Sequence, residues 1–213
     1  TISPEAMKRA TFATLTLAAI AGCVMLIYGS WWLVVLGALI MLFALAYSAG
    51  PYPLSHHGLG DLAVIVFFGL IPVTFTCYLQ TGTWECADMA LPTSVAVGLL
   101  AANVLIVNNY RDMEDDAAVN KRTTVVIFGR KAMAWFYLMA GNLAMVVMIP
   151  VWKELSIWAA LPLAVYLVLH LQTWRQMVRC RGSALNPVLG RTAKNLLVFS
   201  LLLIVAAGVS MVA

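Results

Sequence analysis

The chain has 213 residues, of which 63% are hydrophobic and only 10% are charged, and its mean hydropathy is +0.93. Soluble domains carry about 25% charged residues, so thirteen bases and nine acids exclude a water-soluble enzyme, a disordered tail and a nucleic-acid-binding module. Seven membrane spans would use roughly 140 residues and leave the remainder for caps and loops. The composition therefore predicts a single membrane-embedded domain over residues 1–213.

Seven uninterrupted apolar stretches follow one another along the chain. Each is long enough to cross about 30 Å of hydrocarbon as an α-helix, and none shows the alternation of a barrel strand. The predicted fold is therefore all-α, a polytopic transmembrane helical bundle. Its seven spans are expected at residues 10–28, 31–47, 62–78, 89–107, 132–150, 157–174 and 196–213.

The basic residues are distributed asymmetrically between these spans. If the connecting segments are assigned alternately to two sides, one side receives residues 1–9, 48–61, 108–131 and 175–195, with twelve of the thirteen lysines and arginines. Only Lys153 falls on the other side. Because basic loops stay on the cytoplasmic face of a membrane, we expect an integral membrane protein whose four basic segments are cytoplasmic.

The four cysteines, at positions 23, 77, 86 and 180, contain no CxxC pair. Cys23 and Cys77 lie inside apolar stretches. This pattern indicates neither a disulfide framework nor a zinc site, and we expect four incidental thiols.

The densest polar segment, residues 108–124, directly follows the fourth span. If the helix continues beyond the membrane face, Asn108, Asp112 and Asp116 fall at i, i+4 and i+8, so that three oxygen-bearing side chains form one stripe. Oxygen ligands suit Mg²⁺, which usually retains waters and phosphate oxygens as well. The stripe therefore predicts a metal–phosphate site, and the alternative is a solvated charged loop.

Basic side chains accompany the acidic ones in this segment. Arg111, Lys121 and Arg122 would donate hydrogen bonds to a phosphate, and an arginine does so with two parallel bonds. We therefore expect a phosphorylated substrate at the cytoplasmic face.

A second cytoplasmic loop, residues 47–61, is rich in glycine and proline and predicts turns. Asp61 precedes the third span, and the simplest interpretation is that it caps this helix. A metal site at His56 and His57 is a weaker alternative, because adjacent side chains point apart and no third ligand accompanies them. The third inner loop, residues 175–194, reads as a basic anchor for anionic lipids or a contributor to diphosphate binding.

At these positions the chain resembles the UbiA superfamily of intramembrane prenyltransferases, in the branch that prenylates 1,4-dihydroxy-2-naphthoate during menaquinone synthesis. That branch carries the pattern Asn-Asn-x-Arg-Asp-x-x-x-Asp-x-x-x-Gly-Lys-x-Thr. The loop Gly50-Pro51-Tyr52-Pro53-Leu54 through Gly60-Asp61, then Phe67-Phe68-Gly69, is also similar, as are Leu185-Asn186-Pro187 and Thr192-Ala193. The first pattern reads here Asn108-Asn109-Tyr110-Arg111-Asp112, Asp116 and Asn120-Lys121-Arg122-Thr123.

The resemblance implies a nine-span fold with two facing aspartate-rich loops. This chain carries the second loop, so the first two helices and the first aspartate motif are expected upstream of Thr1. The donor would be a polyprenyl diphosphate, with Mg²⁺ as cofactor. The acceptor would be 1,4-dihydroxy-2-naphthoate, which loses its carboxylate to give demethylmenaquinone. A bacterial inner membrane is the implied location, with the lipid bilayer as surroundings.

Residue roles follow from the same resemblance. Metal ligation falls to Asp112, Asp116 and Asn108, and assistance to the leaving diphosphate falls to Arg111 and Lys121. The residues implied in substrate binding are Asn109, Tyr47, Tyr52, Asp61 and Arg122.

Other acceptors remain open, namely 4-hydroxybenzoate, homogentisate or a chlorophyll precursor. A rival of a different class is a membrane transporter. Transporters place ionisable groups near the bilayer midplane, whereas the polar residues within the predicted spans are few. These are Asn103, Asn142 and His170, and interhelical hydrogen bonding is a sufficient explanation for them.

Overall fold

The computed structural model describes residues 2–27, 30–155 and 161–210, and within these ranges it is helical with one isolated bridge between His57 and Arg122. The prediction of an all-α helical fold is confirmed. The helices are α1 Pro4–Val24, α2 Trp32–Ser48, α3 Gly60–Ile65, α4 Ile71–Thr81, α5 Ala87–Arg111, α6 Met113–Ala118, α7 Thr124–Val147, α8 Ile149–Leu155, α9 Leu161–Arg179 and α10 Asn186–Ser210.

The chain divides into two compact units, Thr1–Pro53 and Leu54–Ala213. In the first unit, α1 begins after Ser3, whose hydroxyl accepts a hydrogen bond from the Ala6 N–H at 3.2 Å. Helices α1 and α2 pack together and enclose a cavity of about 260 Å³ lined by small residues such as Gly22 and Gly37. Small side chains allow such helices to approach closely.

The second unit is built around α5, which packs against α3, α4, α7 and α10. One cluster of buried side chains surrounds the middle of α5 and includes Leu100, Trp152 and Phe199. A second cluster surrounds its C-terminal half and includes Ile106 and Tyr137. Because α5 contacts most of the other helices, its C-terminal end is held rigidly, and that end carries the predicted functional segment.

Helices α3 and α4 are one continuous rod joined by a π-helical turn, Val66–Leu70. At Gly69 an added Cβ would lie 2.4 Å from the Gly98 Cα and 2.5 Å from the Ser94 carbonyl oxygen of α5. The two backbones therefore touch at this crossing, where no side chain fits between them.

Within the described residues the seven predicted spans are helical except for turns at Trp31 and Met148; residue 28, residues 157–160 and residues 211–213 lie outside the described ranges. Five helical segments are long and apolar enough to cross a membrane, and Trp32–Ser48 is a shorter apolar helix of 17 residues. The five are Pro4–Ile27, Gly60–Thr81, Ala87–Arg111, Thr124–Leu155 and Gly182–Ser210. The count of seven spans stays a prediction.

Each of the three polar residues within the spans forms a hydrogen bond, although the buried Asn103 Oδ1 has no partner among the described residues. Asn103 on α5 donates to the Tyr137 carbonyl oxygen on α7 at 3.1 Å, and His170 Nε2 on α9 lies 3.2 Å from the Leu138 carbonyl oxygen on α7. Asn142, by contrast, donates to Leu138 of its own helix at 2.7 Å. Two of the three therefore join helices.

The expectation of four incidental thiols is wrong for one pair. The structure joins Cys77 and Cys86 in a disulfide, with their Cα atoms 6.5 Å apart, whereas Cys23 and Cys180 are free. The turn at Gly82, with φ of +72°, reverses the chain between α4 and α5 and brings the two positions together. The sequence alone did not indicate this pair, because the two cysteines are nine residues apart along the chain.

Candidate active site

The predicted stripe of Asn108, Asp112 and Asp116 lies at the C-terminal end of α5 and on α6. Helix α5 ends at Arg111, yet the Asp112 N–H donates to the Asn108 carbonyl oxygen at 3.1 Å, and the Asp116 N–H donates to that of Asp112 at 2.8 Å. Both steps therefore keep the helical i→i−4 hydrogen bond, which holds the three residues in register. The predicted register is confirmed, with a slight break of the helix at Asp112.

Arg111 connects this stripe to a distant loop. Its Nε and Nη2 donate to the two carboxylate oxygens of Asp112 at 2.6 and 2.7 Å, which is the bidentate arrangement that arginine favours. Its Nη2 also donates to the Asn108 side-chain oxygen at 2.9 Å, and its Nη1 to that of Asn186 at 3.0 Å. Asn186 lies 75 residues away and starts α10, so one guanidinium group joins two separate polar segments.

Asp112 is electrostatically tuned by this contact. The hydrogen bonds from Arg111 favour the charged form of the carboxyl group and hold the pKa of Asp112 below its usual value, with smaller attraction from Lys121. Asp112 is therefore ionised at neutral pH, with both of its oxygens bonded to Arg111.

Asp116 is buried and pairs with Lys121, whose Nζ donates to its Oδ1 at 3.0 Å. The chain returns between them through Asn120, whose φ of +57° is tolerated by asparagine better than by most residues. This is the position where the related pattern has glycine. The other carboxylate oxygen of Asp116 is buried without a hydrogen-bond partner among the described residues.

That unpartnered oxygen tests whether a metal ion fits here. A buried carboxylate oxygen without a donor is destabilising, and coordination of a hard cation would satisfy it. Within the ranges the structure describes, no three His, Cys, Asp or Glu side chains converge into a complete metal site. Asp112, Asp116 and Asn108 therefore fit a partial coordination shell, of the kind that diphosphate oxygens and waters complete.

The segment around Asp61 packs against the segment that follows Lys121. The Arg122 N–H donates to the His56 carbonyl oxygen at 3.0 Å, and a Cβ on Gly58 would lie 2.7 Å from the Ile127 side chain. Asp61, which is buried, accepts a hydrogen bond from the Thr124 hydroxyl through Oδ2, and its Oδ1 has no partner in the described parts of the chain. Two segments 63 residues apart, nearly a third of the chain, thus form one polar surface.

One expectation about this segment is wrong. The residue before helix α3 is Leu59, so Asp61 does not cap this helix: Asp61 lies in the first turn and bonds to another helix. His56 and His57, a metal site given above only as a weaker alternative, belong to no metal cluster of the described residues. The Arg122 side chain is exposed, and its expected role in substrate binding stays a prediction.

An apolar groove of about 470 Å³ opens beside the stripe. Its walls come from three helices: Val64 and Phe68 of the α3–α4 rod, Val104 of α5, and Leu189 of α10. Asn108 lines the groove and also accepts a hydrogen bond from Arg111. The groove therefore adjoins the charged cluster directly, and one side chain belongs to both.

The remaining residues predicted to bind substrate do not share one location. Asn109 is buried, at 5% exposure, on the helix face opposite open solvent. Tyr47 is half-buried on α2 and Tyr52 is 60% exposed. Both tyrosines belong to the first unit, and their roles stay predictions.

The sequence did not single out several residues that support the site. Arg130 forms an ion pair with Glu114 and lies 5.4 Å from the centre of the Tyr110 ring, over which Arg181 also lies at 5.5 Å. The bond from Arg130 holds the pKa of Glu114 below its usual value. The acidic residue of α6 and the basic residue of α7 were visible, but their pairing requires the turn at Asn120.

Comparison with known proteins identifies the family to which this sequence belongs. Residues 2–202 match the UbiA prenyltransferase family. The chain belongs to this family. UbiA family members use a divalent metal ion, and this member, with its five apolar helices, is an integral membrane protein and an enzyme of the prenyltransferase class.

Relatives of known activity cover most of the chain. It is 33% identical over 204 residues to the 1,4-dihydroxy-2-naphthoate octaprenyltransferase of Mycobacterium tuberculosis, covering 93% of this chain and 67% of the relative. The Escherichia coli enzyme of the same name is 33% identical over 211 residues, with coverages of 95% and 68%. The 2-carboxy-1,4-naphthoquinone phytyltransferase of Synechocystis is 29% identical over 152 residues, with coverages of 66% and 48%. No solved structure matches the chain significantly.

Proposed function

We propose that this UbiA family member transfers a polyprenyl group from a polyprenyl diphosphate to 1,4-dihydroxy-2-naphthoate in menaquinone synthesis. The names of the two relatives at 33% identity support this acceptor. The observation that carries the proposal is the double role of Asn108, which lines the apolar groove and bonds to Arg111 of the charged cluster. A substrate with an apolar tail and an anionic head matches that junction.

In the reaction, the bond between the allylic carbon and the diphosphate oxygen breaks, and the diphosphate leaves with the electron pair. An electron-rich ring carbon of the acceptor then attacks the allylic cation, and the ring carboxylate departs as carbon dioxide. Mg²⁺, the divalent ion we propose for the site, neutralises the leaving diphosphate when bound. Asp112, Asp116 and Asn108 would hold it.

The protein's own groups perform the remaining work. Arg111 keeps Asp112 ionised and aligned, and its donors lie where a diphosphate oxygen can compete for them. Lys121, now on Asp116, provides a second cation for the leaving group. Asp61, with one unpartnered oxygen, is suited to accept a hydrogen bond from a hydroxyl group of the acceptor. The apolar groove excludes water from the cation, which would otherwise be hydrolysed.

We further propose that the site faces the cytoplasm of a bacterial cell, with the chain in the inner membrane. Twelve of thirteen bases lie in segments of one side, as the positive-inside rule requires. The polar cluster of residues 108–124 belongs to that side.

The test is product identification. The intact enzyme in lipid nanodiscs would receive a polyprenyl diphosphate, Mg²⁺ and one of several aromatic acceptors, and products would be identified by mass spectrometry. We expect a prenylated, decarboxylated naphthalene product that depends on the divalent ion. A product formed only with 4-hydroxybenzoate or homogentisate would replace the acceptor, and transport of an acceptor across vesicles without any product would contradict the enzyme assignment.

A further inference from the structure

The turn between α4 and α5 lies at the opposite end of these helices from the Asp112 cluster. Helix α4 ends at Thr81, and Gly82 adopts a left-handed backbone whose N–H donates to the Tyr78 carbonyl oxygen at 2.8 Å. A glycine in this conformation is a common helix stop. Helix α5 begins five residues later, at Ala87.

Aromatic and hydrogen-bonding contacts that involve no sulfur atom also close this turn. The Trp84 ring stacks on Tyr78 with ring centres 4.7 Å apart, and it meets the edge of Phe75 at 5.7 Å. The Thr81 hydroxyl donates to the Thr83 carbonyl oxygen at 2.9 Å. These contacts fold the turn back over α4 and bring the Cα atoms of Cys77 and Cys86 to 6.5 Å, within the range of about 4.4–6.8 Å that a disulfide spans.

The charge pattern assigns this turn to the side that the basic segments avoid. Residues 79–88 contain Glu85 and Asp88 but no lysine or arginine. The free Cys180, by contrast, lies among Arg175, Arg179 and Arg181. Disulfides persist outside the cytoplasm and are rare within it, where thiol reductants prevail. The paired cysteines and the free one therefore lie on the two sides where their redox states are expected.

We propose that Cys77 and Cys86 are an oxidation site in the extracytoplasmic compartment, where their disulfide fastens the turn between α4 and α5. The proposal rests on the orientation given above and is independent of the acceptor. Oxidation proceeds by exchange with a dithiol-oxidising protein disulfide of that compartment. One thiolate attacks the oxidant's disulfide and forms a mixed disulfide, and the second thiolate then displaces it. The two protons lost by the cysteine thiols are taken up by the sulfurs of the oxidant, which leaves as a dithiol that also carries the two electrons.

The bridge restrains the helix that carries the site. Cys86 immediately precedes α5, and Asn108 and Arg111 are at its far end. Between them, α5 touches the α3–α4 rod backbone to backbone at Gly69 and Gly98. The disulfide is a second attachment of the same two helices, at their extracytoplasmic end.

The experiment uses the intact enzyme in whole cells. Free thiols are first blocked with a permeant maleimide, disulfides are reduced with an impermeant phosphine, and newly exposed thiols receive an impermeant maleimide of high mass. We expect two added tags on the wild-type chain and none if the phosphine is omitted. Cys180 is the matched control for the other side: in a variant with Cys23→Ser, Cys77→Ser and Cys86→Ser it is the one remaining cysteine, and it should react with the impermeant maleimide only after the membrane is permeabilised.

Each possible labelling result either supports or overturns the proposed disulfide. In Cys23→Ser/Cys77→Ser cells treated without the permeant block, the remaining Cys86 should be tagged without reduction, which shows that Cys77 is its partner. Absence of new tags on the wild-type chain after reduction would overturn the proposal, because the first maleimide would then have blocked two free thiols, and so would a pair whose reduction and tagging require permeabilised cells. These outcomes are distinct from failure of the proposed reaction, because prenyl transfer is assayed separately. The wild-type measurement needs no substitution, so a misfolded variant does not impair it.

Discussion

The two ends of helix α5 are fastened by different means. At the Asp112 end, three side chains accept hydrogen bonds from the Arg111 guanidinium group, namely Asp112, Asn108 and Asn186, the last of which lies 75 residues away. At the Cys86 end, the contacts are local: Trp84 packs on Tyr78, and the disulfide links positions nine residues apart. One end is a polar network assembled by the tertiary fold, and the other is a short covalently closed turn.

The two ends also differ in whether they contain buried polar atoms that lack a hydrogen-bond partner. Asp116 Oδ2 and Asp61 Oδ1 are buried oxygens without partners in the described residues, and both belong to the polar surface at the Asp112 end. Unpaired buried oxygens are destabilising, and a ligand bound at this surface would satisfy these two. Asn103 Oδ1, within α5, is a further buried oxygen without a partner in the described residues. Among the described residues of the Cys86 end, no carboxylate oxygen is both buried and without a partner. The contacts at this end hold the helix.

The largest expected effect is loss of activity from the stripe. Asp116→Asn keeps the shape of the side chain but removes its charge, and we expect turnover to fall about 1,000-fold, roughly 4 kcal/mol of transition-state stabilisation. Asp115→Asn is the matched control, because Asp115 is the exposed neighbour on the same helix. Product formation in nanodiscs and a thermal melt measure the two variants. Equal activity in both would remove Asp116 from the site.

A smaller effect is expected from Arg111→Lys. Lysine retains the charge but lacks the planar fork that contacts Asp112, Asn108 and Asn186 together. We expect activity to fall about 10- to 100-fold, as for other groups that orient a metal ligand, and the Mg²⁺ concentration required for half-maximal rate to rise. Asn186→Ala removes one of these contacts and should have a weaker effect of the same kind. A decrease in rate with an unchanged Mg²⁺ requirement would argue against positioning of Asp112.

Much of the Asp112 end was predictable from sequence, because helical spacing alone places positions 108, 112 and 116 in one stripe. The pairing of Arg111 with Asn186 was not predicted, since it depends on how α10 approaches α5. The capping role of Asp61 was predicted wrongly, and its role in substrate binding stays a prediction. A carboxylate before an apolar run is a common capping signal, and only the packing of the two loops shows its bond to Thr124.

The Cys86 end was the harder one to predict. Two cysteines nine residues apart indicate nothing unless the chain reverses between them, and the reversal depends on one glycine with positive φ. The contact of Gly69 with Gly98 was equally hidden, because small residues are common in any apolar helix. Close backbone crossings leave no residue pattern of their own.

The contact of Gly69 with Gly98 provides a further test, at a point between the two ends of α5. Gly69→Ala would place a methyl group 2.4 Å from the Gly98 Cα, and we expect a loss of about 1–3 kcal/mol in the free energy of unfolding, as for other overpacked sites. Gly208→Ala is the control, because a Cβ there meets nothing within 4 Å. Thermal melts in detergent measure both. If the two variants melt alike, α4 and α5 do not touch at this point.

The pH dependence of stability distinguishes the ends further. Because the folded-state pKa of Asp112 is lowered by Arg111, its contribution to stability is complete above the ordinary carboxyl pKa and is lost as pH falls through the lower folded value. The wild-type enzyme should therefore show no change from this group between pH 5 and 8. In Arg111→Gln the folded-state pKa of Asp112 returns toward its ordinary value, so the variant should be less stable than the wild type at neutral pH and should lose less further stability on acidification. An equal acid loss in both proteins would contradict the ion pair.

The smallest effect is expected from Trp84→Ala. It removes stacking on Tyr78 and Phe75, worth about 0.5–1.5 kcal/mol for each aromatic pair beyond the buried area, and prenyl transfer should stay near the wild-type rate. The loss of stability should be greater in reduced protein than in oxidised protein, because the bridge between Cys77 and Cys86 restrains the same turn that the indole ring closes. An equal loss in both redox states would mean that the two fastenings act independently. A large loss of transfer would mean that the Cys86 end takes part in the reaction after all.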